Sequence, residues 1–260
     1  MKNSMENVQY RRERMLAYLR RVRRAQVQEM ATRFRVTTMT VRRDLDVFEA
    51  AGQVRRSYGV AVYTGREDAD VVYAAPTGDL TPAARAVART AASLIEDGDT
   101  VFFNSSATVL GILEYLGDRR VTVVTNNGRA LYAHRAPGVE LILTGGDVYG
   151  QKQSLVGELA AATLSRVTAT KCILGVSGIS AEDGITSSIS LETPVNQAML
   201  RRCTGMRIVA ADGSKIGVKR NFFSGSVENI THLITTRDAY PAELEKIRAR
   251  GVTILFAEEE

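Results

Sequence analysis

The chain has 260 residues, 45% of them hydrophobic and 24% charged, with 34 Lys and Arg against 29 Asp and Glu. That composition belongs to a folded protein of one large or two unequal domains and excludes disordered, collagenous and coiled-coil chains. No apolar run approaches the ~18 residues a membrane helix needs and Met1 to Arg14 has no signal-peptide core, so a cytoplasmic protein without a membrane partner is expected.

Residues 1–63 hold 14 Lys and Arg against 6 Asp and Glu, a net of +8, while the remainder is net −3. A small basic module that meets a polyanion, joined to a mildly acidic body, is the implied organisation; a solvated basic face is the bland alternative. A first helical stripe runs through Met15, Leu19 and Val22, and a second through Val27, Met30, Ala31 and Phe34. After Arg35-Val36, Thr37 is an N-cap for a third helix that turns Val41, Leu45 and Phe48 inward and ends at Gly52. Met39, Arg42, Arg43 and Asp46 then face outward, with Thr38 and Thr40 near the start. Hydroxyls and two arginines on the first turns suit entry into a DNA major groove, where Arg pairs with guanine edges. Residues 54–63 read as a two-stranded wing turning at Gly59, with Arg55 and Arg56 at its tip to grip phosphate or the minor groove. The predicted DNA contacts are Thr37, Thr38, Met39, Thr40, Arg42, Arg43, Arg55, Arg56 and Tyr58 of a winged helix-turn-helix. A plain three-helix subdomain would share the periodicity but not the exposed arginines and basic wing.

The run from Gln26 to Asp46, with its Thr-Val-Arg-Arg-Asp-Leu stretch, resembles the N-terminal signature of DeoR-type bacterial transcriptional regulators. That family usually has His-Gly-Gly in the wing, where this chain has Tyr58-Gly59-Val60.

Thr64 to Asp79, with Gly65, Pro76, Gly78 and the acids Glu67, Asp68 and Asp70, reads as a linker between a domain over 10–63 and one over 80–258. Pro82 opens a helix with Ala84, Val87, Ala88, Ala91, Leu94 and Ile95 on one face, stopped by Asp97-Gly98. Strand-like runs follow at 100–103, 121–125, 140–144, 172–175, 207–210, 233–236 and 253–256, most of them separated by helical patterns. Short apolar strands alternating with helices predict an α/β domain with a mainly parallel sheet, whose ligands sit at the strands' carboxyl ends. Three polar loops fall there. Asn104-Ser105-Ser106-Ala107-Thr108 and Thr125-Asn126-Asn127-Gly128 each join a strand to a helix start, where hydroxyls and free N–H groups suit an anion, or else merely cap the helix. Asp212-Gly213-Ser214-Lys215 offers a point charge for a phosphate or sugar oxygen, or is an ordinary surface turn. Cys172 and Cys203 lie apart from each other and from His134 and His232, and are read as buried small hydrophobes rather than a disulfide or metal site.

These loops, together with Gly175-Val-Ser-Gly178 and Gly184-Ile-Thr186, resemble the C-terminal sensor domain of the same regulators, so the likeness extends from about Tyr10 to Glu258. It implies a fold similar to ribose-5-phosphate isomerase, a phosphorylated sugar or related metabolite as effector, and a repressor released by it. The implied effector contacts are residues 104–108 and 125–128, Gly178, Glu192 and Lys215. The family commonly has Asp-x-Gly-Thr-Thr at Asn104 to Thr108, and often a basic pair where Asn196 and Gln197 stand here. Helix-turn-helix modules pair on half-sites of double-stranded operator DNA, which implies a homodimer or homotetramer.

Two other classes compete. An isomerase would use Glu192 as general base and Lys215 as electrophilic partner, yet the sequence has no Walker loop, dinucleotide fingerprint or metal-ligand cluster, and fold alone does not confer activity. No enzyme, catalytic residue or cofactor is therefore expected. A sequence-nonspecific nucleic-acid binder would use the same +8 module, with steep salt dependence and little sequence preference.

Overall fold

The computed structural model describes residues 11–63 except 13, 17, 20–23, 35, 51–53 and 58, and residues 80–258 except 151; of 50 and 55–57 it describes the backbone alone. The expectations for Val22, Gly52, Tyr58 and the linker 64–79 lie outside the described residues. The chain divides into two compact units, Met1–Val72 and Tyr73–Glu260.

In the first unit, helical residues between 11 and 19 are followed by strand β1 (Arg24–Gln26), helix α1 (Val27–Phe34), helix α2 (Thr38–Ala50), and strands β2 (Val54–Ser57) and β3 (Val60–Tyr63). Met15, Leu19, Val27, Met30, Ala31, Val41, Leu45 and Phe48 are all buried in one core, as the stripes predict. The wing is three-stranded rather than two-stranded, in the order β1-β3-β2. Arg-Ala-Gln has no apolar run to betray a strand, but Ala25 is buried opposite Ala61. Register also corrects the position of the wing arginines. Arg55 pairs with Val62 and Arg56 with Ala61, so both lie in the body of β2, and the turn itself is at Gly59, φ 80°.

The second unit is built on a seven-stranded sheet of β4 (Thr100–Phe103), β5 (Val121–Thr125), β6 (Val139–Leu143), β9 (Ala169–Leu174), β12 (Cys203–Ala210), β14 (His232–Thr236) and β15 (Thr253–Ala257). Every pairing in it is parallel, in the order β15-β14-β12-β9-β4-β5-β6. Alternate side chains feed two cores. Phe102, Cys172, Val209 and Leu233 lie in one, and Val101, Phe103, Ile173 and Ile208 in the other. Burial of both faces is why these strands read as continuous apolar runs. Helix α3 (Pro82–Ser93) covers one face, its end capped by the Thr81 hydroxyl accepting the Ala84 N–H at 3.2 Å. It stops at Ser93, so Leu94 and Ile95 lie past the helix and Asp97-Gly98 forms a later turn. Helices α5 (Glu158–Ser165), α6 (Thr193–Arg202) and α7 (Pro241–Ala249) add Leu164, Met199 and Ile247 to the opposite core. Short α4 (Ala107–Leu110) runs into a 3₁₀ turn over Gly111–Tyr115. Two small elements were not foreseen: a β7–β8 hairpin (Asp147–Tyr149, Ser154–Val156) and an antiparallel sheet of β10 (Gly178–Ser180), β11 (Gly184–Ser187) and β13 (Phe222–Gly225).

Chain order reverses between β4 and β9: from β4 the sheet grows to β6 on one side, and from β9 to β15 on the other. In such sheets the crevice at the reversal, beyond the carboxyl ends, is where ligands enter. Beneath it the two strands are locked by buried charge. Lys171 on β9 contacts the Asp99 carboxylate and reaches Glu96 at 3.1 Å, while the Thr170 hydroxyl donates to Asp99 at 2.6 Å. Burial opposes the charge on Asp99, but bonds from Lys171, Thr170 and the Glu96 N–H outweigh it and hold the carboxyl below its ordinary range. Burial likewise opposes the Lys171 ammonium, and its two acids overcome that and raise it.

Lys171→Met should cost about 3–5 kcal/mol in urea unfolding at neutral pH, because it strands a buried carboxylate. A depressed carboxyl stabilises the fold above its unfolded range and loses that contribution as pH falls through its native value. The wild-type protein should therefore weaken on acidification below about pH 4, and the variant, whose Asp99 has lost its cation, should show a shallower acid limb.

Candidate functional site

Helix α2 starts where sequence places it, because the Thr37 hydroxyl accepts the Thr40 N–H at 3.1 Å. The same hydroxyl meets that of Thr40 at 3.0 Å, so one of the two hydroxyl protons is left for an outside partner. Met39, Arg42, Arg43 and Asp46 are exposed, and Val41, Leu45 and Phe48 are buried, which sets a polar, arginine-bearing face outward. Thr38 is half-buried. What sequence reading missed is Asp44. Its carboxylate is 2% exposed and accepts Arg11 Nε at 2.8 Å and Arg12 Nε at 2.7 Å, tying the leading helical residues to α2. Asp44 stands three residues after Val41 and four before Phe48, on the buried stripe of the helix, which is the sequence signal that it turns inward. The turn of the wing is fixed to α1 by the Val27 N–H donating to the Gly59 carbonyl at 2.9 Å.

In the second unit a cleft opens at the chain reversal. Asn104 to Thr108 line one wall, Gly175 to Ser177 and Thr186-Ser187 another, and Glu192, Asn196, Asp212, Lys215 and Lys152 complete it. Asn104 closes its floor. Its amide donates to the Gly175 carbonyl at 2.8 Å and accepts the Gly175 N–H at 3.0 Å, joining the ends of β4 and β9. Gly175 must be glycine: a Cβ there would stand 2.1 Å from Ser106 Oγ. The two departures from the family pattern meet here, since Asn104 Nδ2 also donates to Asn196 Oδ1 at 3.2 Å. Two uncharged amides thus share a bond at the cleft floor, and the cations lining the cleft are Lys152 and Lys215.

Glu192, 7% exposed, gathers hydroxyls from three separate segments: Ser105 at 3.0 Å, Ser154 at 2.8 Å and Ser187 at 3.3 Å. Each serine spends its only proton on the carboxylate, so the two that line the cleft, Ser105 and Ser187, offer a ligand acceptors rather than donors. That wall suits ligand hydroxyls and cannot donate to a phosphate. Lys215 donates to Ser214 at 2.8 Å and stands 3.9 Å from Asp212, which itself caps the turn by accepting the Ser214 N–H at 3.0 Å.

The sequence-predicted effector residues therefore separate. Residues 104–108, Glu192 and Lys215 line the cleft; Thr125, Asn126, Asn127, Gly128 and Gly178 do not. Thr125 Oγ1 accepts the Asn127 N–H at 3.0 Å, Asn126 Nδ2 donates to the Leu155 carbonyl at 3.0 Å, and the Gly128 N–H donates to that of Gln153 at 2.9 Å. The loop is spent on holding β8. Gly178 lies in β10, its carbonyl accepting Thr186 Oγ1 at 3.2 Å. The helix expected after Thr108 is the four-residue α4, too short to offer an anion much helix dipole. Sequence reading did not single out Lys152, Ser154 or Ser187, which come from the short hairpin and the small sheet. Both cysteines are buried as expected, and burial pushes both thiols up.

Residues 82–237 match the family model described as the DeoR C terminal sensor domain, and residues 11–67 that of the DeoR-like helix-turn-helix domain. The HTH-type transcriptional repressor GlcR of Bacillus subtilis is 29% identical over 255 residues, covering 96% of this chain and 98% of that one. The putative aga operon transcriptional repressor of Escherichia coli O157:H7 is 28% identical over 253 residues, covering 96% and 94%. Ribose 5-phosphate isomerase A of Methanocaldococcus jannaschii aligns with TM-score 0.36 and 14% identity, covering 51% of this chain and 52% of that one.

Glu192→Ala should lower the unfolding free energy by about 2–4 kcal/mol, since it removes three bonds to a buried charge. Lys215→Ala, at the rim, should change it by less than about 0.5 kcal/mol. Denaturant titration of both variants checks the contrast, and equal effects would deny Glu192 its role as the post that ties three segments together.

Proposed function

Because the chain belongs to the DeoR family of transcriptional regulators, we propose that it is a cytoplasmic repressor of carbohydrate-metabolism genes, released from its operator by a phosphorylated sugar. Family membership makes it a DNA-binding regulator rather than an enzyme. The observation that carries the proposal is the pairing of two sites in one chain. Helix α2 presents Met39, Arg42 and Arg43 outward on a capped, Asp44-anchored frame, and a separate cleft offers hydroxyl acceptors beside lysines. Arg42 and Arg43 are assigned to base edges and phosphates of the major groove, with Thr37, Thr38, Met39 and Thr40 around them and Arg55, Arg56 and Tyr58 on the wing. Residues 104–108, Glu192 and Lys215 are assigned to the effector, with 125–128 and Gly178 behind them. One module of this size makes too few specific contacts alone, so a homodimer or homotetramer on paired half-sites is part of the reading. The effector acts by binding the DNA-free arrangement more tightly than the DNA-bound one.

Arg43→Ala should weaken binding to an operator duplex, selected from a random pool, by about 1–3 kcal/mol while leaving sugar-phosphate affinity unchanged. Lys215→Ala should keep operator affinity and lose release by the effector. Fluorescence anisotropy of labelled duplex, with and without sugar phosphate, reads both. Loss of both functions in either folded variant would refute the division of labour, and binding indifferent to duplex sequence would favour the nonspecific reading.

A further inference from the structure

We propose that the β7–β8 hairpin is a ligand-holding element of the cleft, and that Lys152 at its turn is the cation that receives the ligand's anionic group. The proposal rests on the sensor reading above and goes beyond it by assigning the anion to a residue and an element that the strand-end loops do not contain.

Charge is the first argument. Of the two lysines lining the cleft, Lys215 is already engaged by Ser214 and Asp212. Lys152 has no hydrogen-bond or ion-pair partner among the described residues. Asn196 brings no charge, and the serines on Glu192 have no proton left to donate. An anion entering this cleft therefore finds its uncommitted cation at Lys152, a compact point charge on a flexible stem.

The second argument is backbone strain beside that lysine. Gln153, φ 54°, is the non-glycine residue with positive φ among those described. Such conformations persist only where the surroundings over-determine them, and they concentrate at ligand clamps. Here the surroundings are explicit. The Gln153 N–H donates to the Gly150 carbonyl at 3.0 Å, and its own carbonyl accepts the Gly128 N–H at 2.9 Å. One residue on, Ser154 bridges to Asn127 and donates to Glu192 at 2.8 Å. At the next, the Leu155 N–H donates to the Asn126 carbonyl at 2.7 Å. Asn126 and Asn127, predicted to touch the effector, instead brace the hairpin that carries Lys152 to it. Asn127 Nδ2 also reaches the Ser106 carbonyl at 3.4 Å, so the brace is fastened to the cleft wall as well.

The test is a melting-temperature titration of the full chain with hexose 1-phosphates, hexose 6-phosphates, pentose phosphates, the corresponding free sugars and inorganic phosphate. For whichever phosphorylated probe binds the wild type, Lys152→Met should weaken affinity roughly tenfold or more, and should cut the preference for the phosphorylated over the free sugar by a similar factor. Lys152→Arg should restore most of both. Gln153→Gly, which fits a positive φ, should keep or raise the ligand-free melting temperature and still weaken the same probe, because it frees the backbone that aims the lysine. Wild-type affinity in Lys152→Met, alongside lost binding in Ser105→Ala, would overturn the assignment while sparing the sensor reading. A wild type that binds only free sugars, or none of the compounds, would overturn both.

Discussion

The crevice between β4 and β9 is the constraint on which the second unit depends. A parallel sheet whose connections leave in opposite directions from two adjacent strands cannot cover the ends of both, so a gap opens there. The gap is useful only if the strands beneath it stay together. Lys171 and Asp99 hold them at the amino ends, and Asn104 holds them at the carboxyl ends by satisfying both the N–H and the carbonyl of Gly175. An amide can do the latter and an ionised carboxylate cannot, since the carboxylate accepts but does not donate. Asparagine at 104 is thereby a structural choice as well as a departure from a family pattern. Its second bond, to Asn196, shows the partner position answering with a neutral acceptor rather than a cation.

A shared device appears in both units: a buried carboxylate that collects donors from distant parts of the chain. Asp44 gathers Arg11 and Arg12, and Glu192 gathers Ser105, Ser154 and Ser187. Burying such a charge is costly unless every lone pair is used, so the donors cannot drift apart without exposing that cost. In the first unit the effect is to fix the recognition helix against the helical residues before it. In the second it makes the walls of the cleft mutually dependent. The shape of the cleft wall is thus set before anything binds, which lowers the ordering cost of binding there.

Much of this was legible in the sequence, for identifiable reasons. All seven strands of the parallel sheet were foreseen, because burial on both faces turns Thr100–Phe103 or Val121–Thr125 into mostly apolar runs. Strands β9 and β12 nevertheless begin three and four residues before the runs at 172–175 and 207–210, in segments where Lys171 and Thr204 break the pattern. The helix-turn-helix stripes were equally plain, since 3.6-residue periodicity with Thr37 as cap has few other readings. The small elements were not. Gly178–Ser180, Gly184–Ser187 and Ser154–Val156 are three or four residues long and rich in Gly and Ser, too short for a period to show. The site was half legible for the same reason. Residues 104–108 and Lys215 lie where strand ends and turns announce them and Glu192 was reached through the family resemblance, whereas Lys152 and Ser187 belong to the hidden elements. Thr125 to Gly128 misled because a polar strand-end loop looks the same whether its groups meet a ligand or the backbone of a neighbour. The three-dimensional partners of Asn126 and Gly128 decide between these, and no local pattern encodes them.

The same bonds set the terms on which any ligand could act at a distance. A ligand shifts an equilibrium only by its difference in affinity for the two states, so some element must change when the cleft fills. An element packed into either core is a poor candidate, because close-packed interiors resist small deformation. The β7–β8 hairpin differs in kind. Val148 is 61% exposed, Gln153 holds a conformation that costs energy, and that conformation is maintained by bonds reaching both the loop after β5 and Glu192 in the cleft. The Ser154–Glu192 contact therefore joins the hairpin to the wall of the cleft. Linkage makes any such coupling reciprocal: a ligand that favours one arrangement of the hairpin is bound more tightly by that arrangement, by the same free energy.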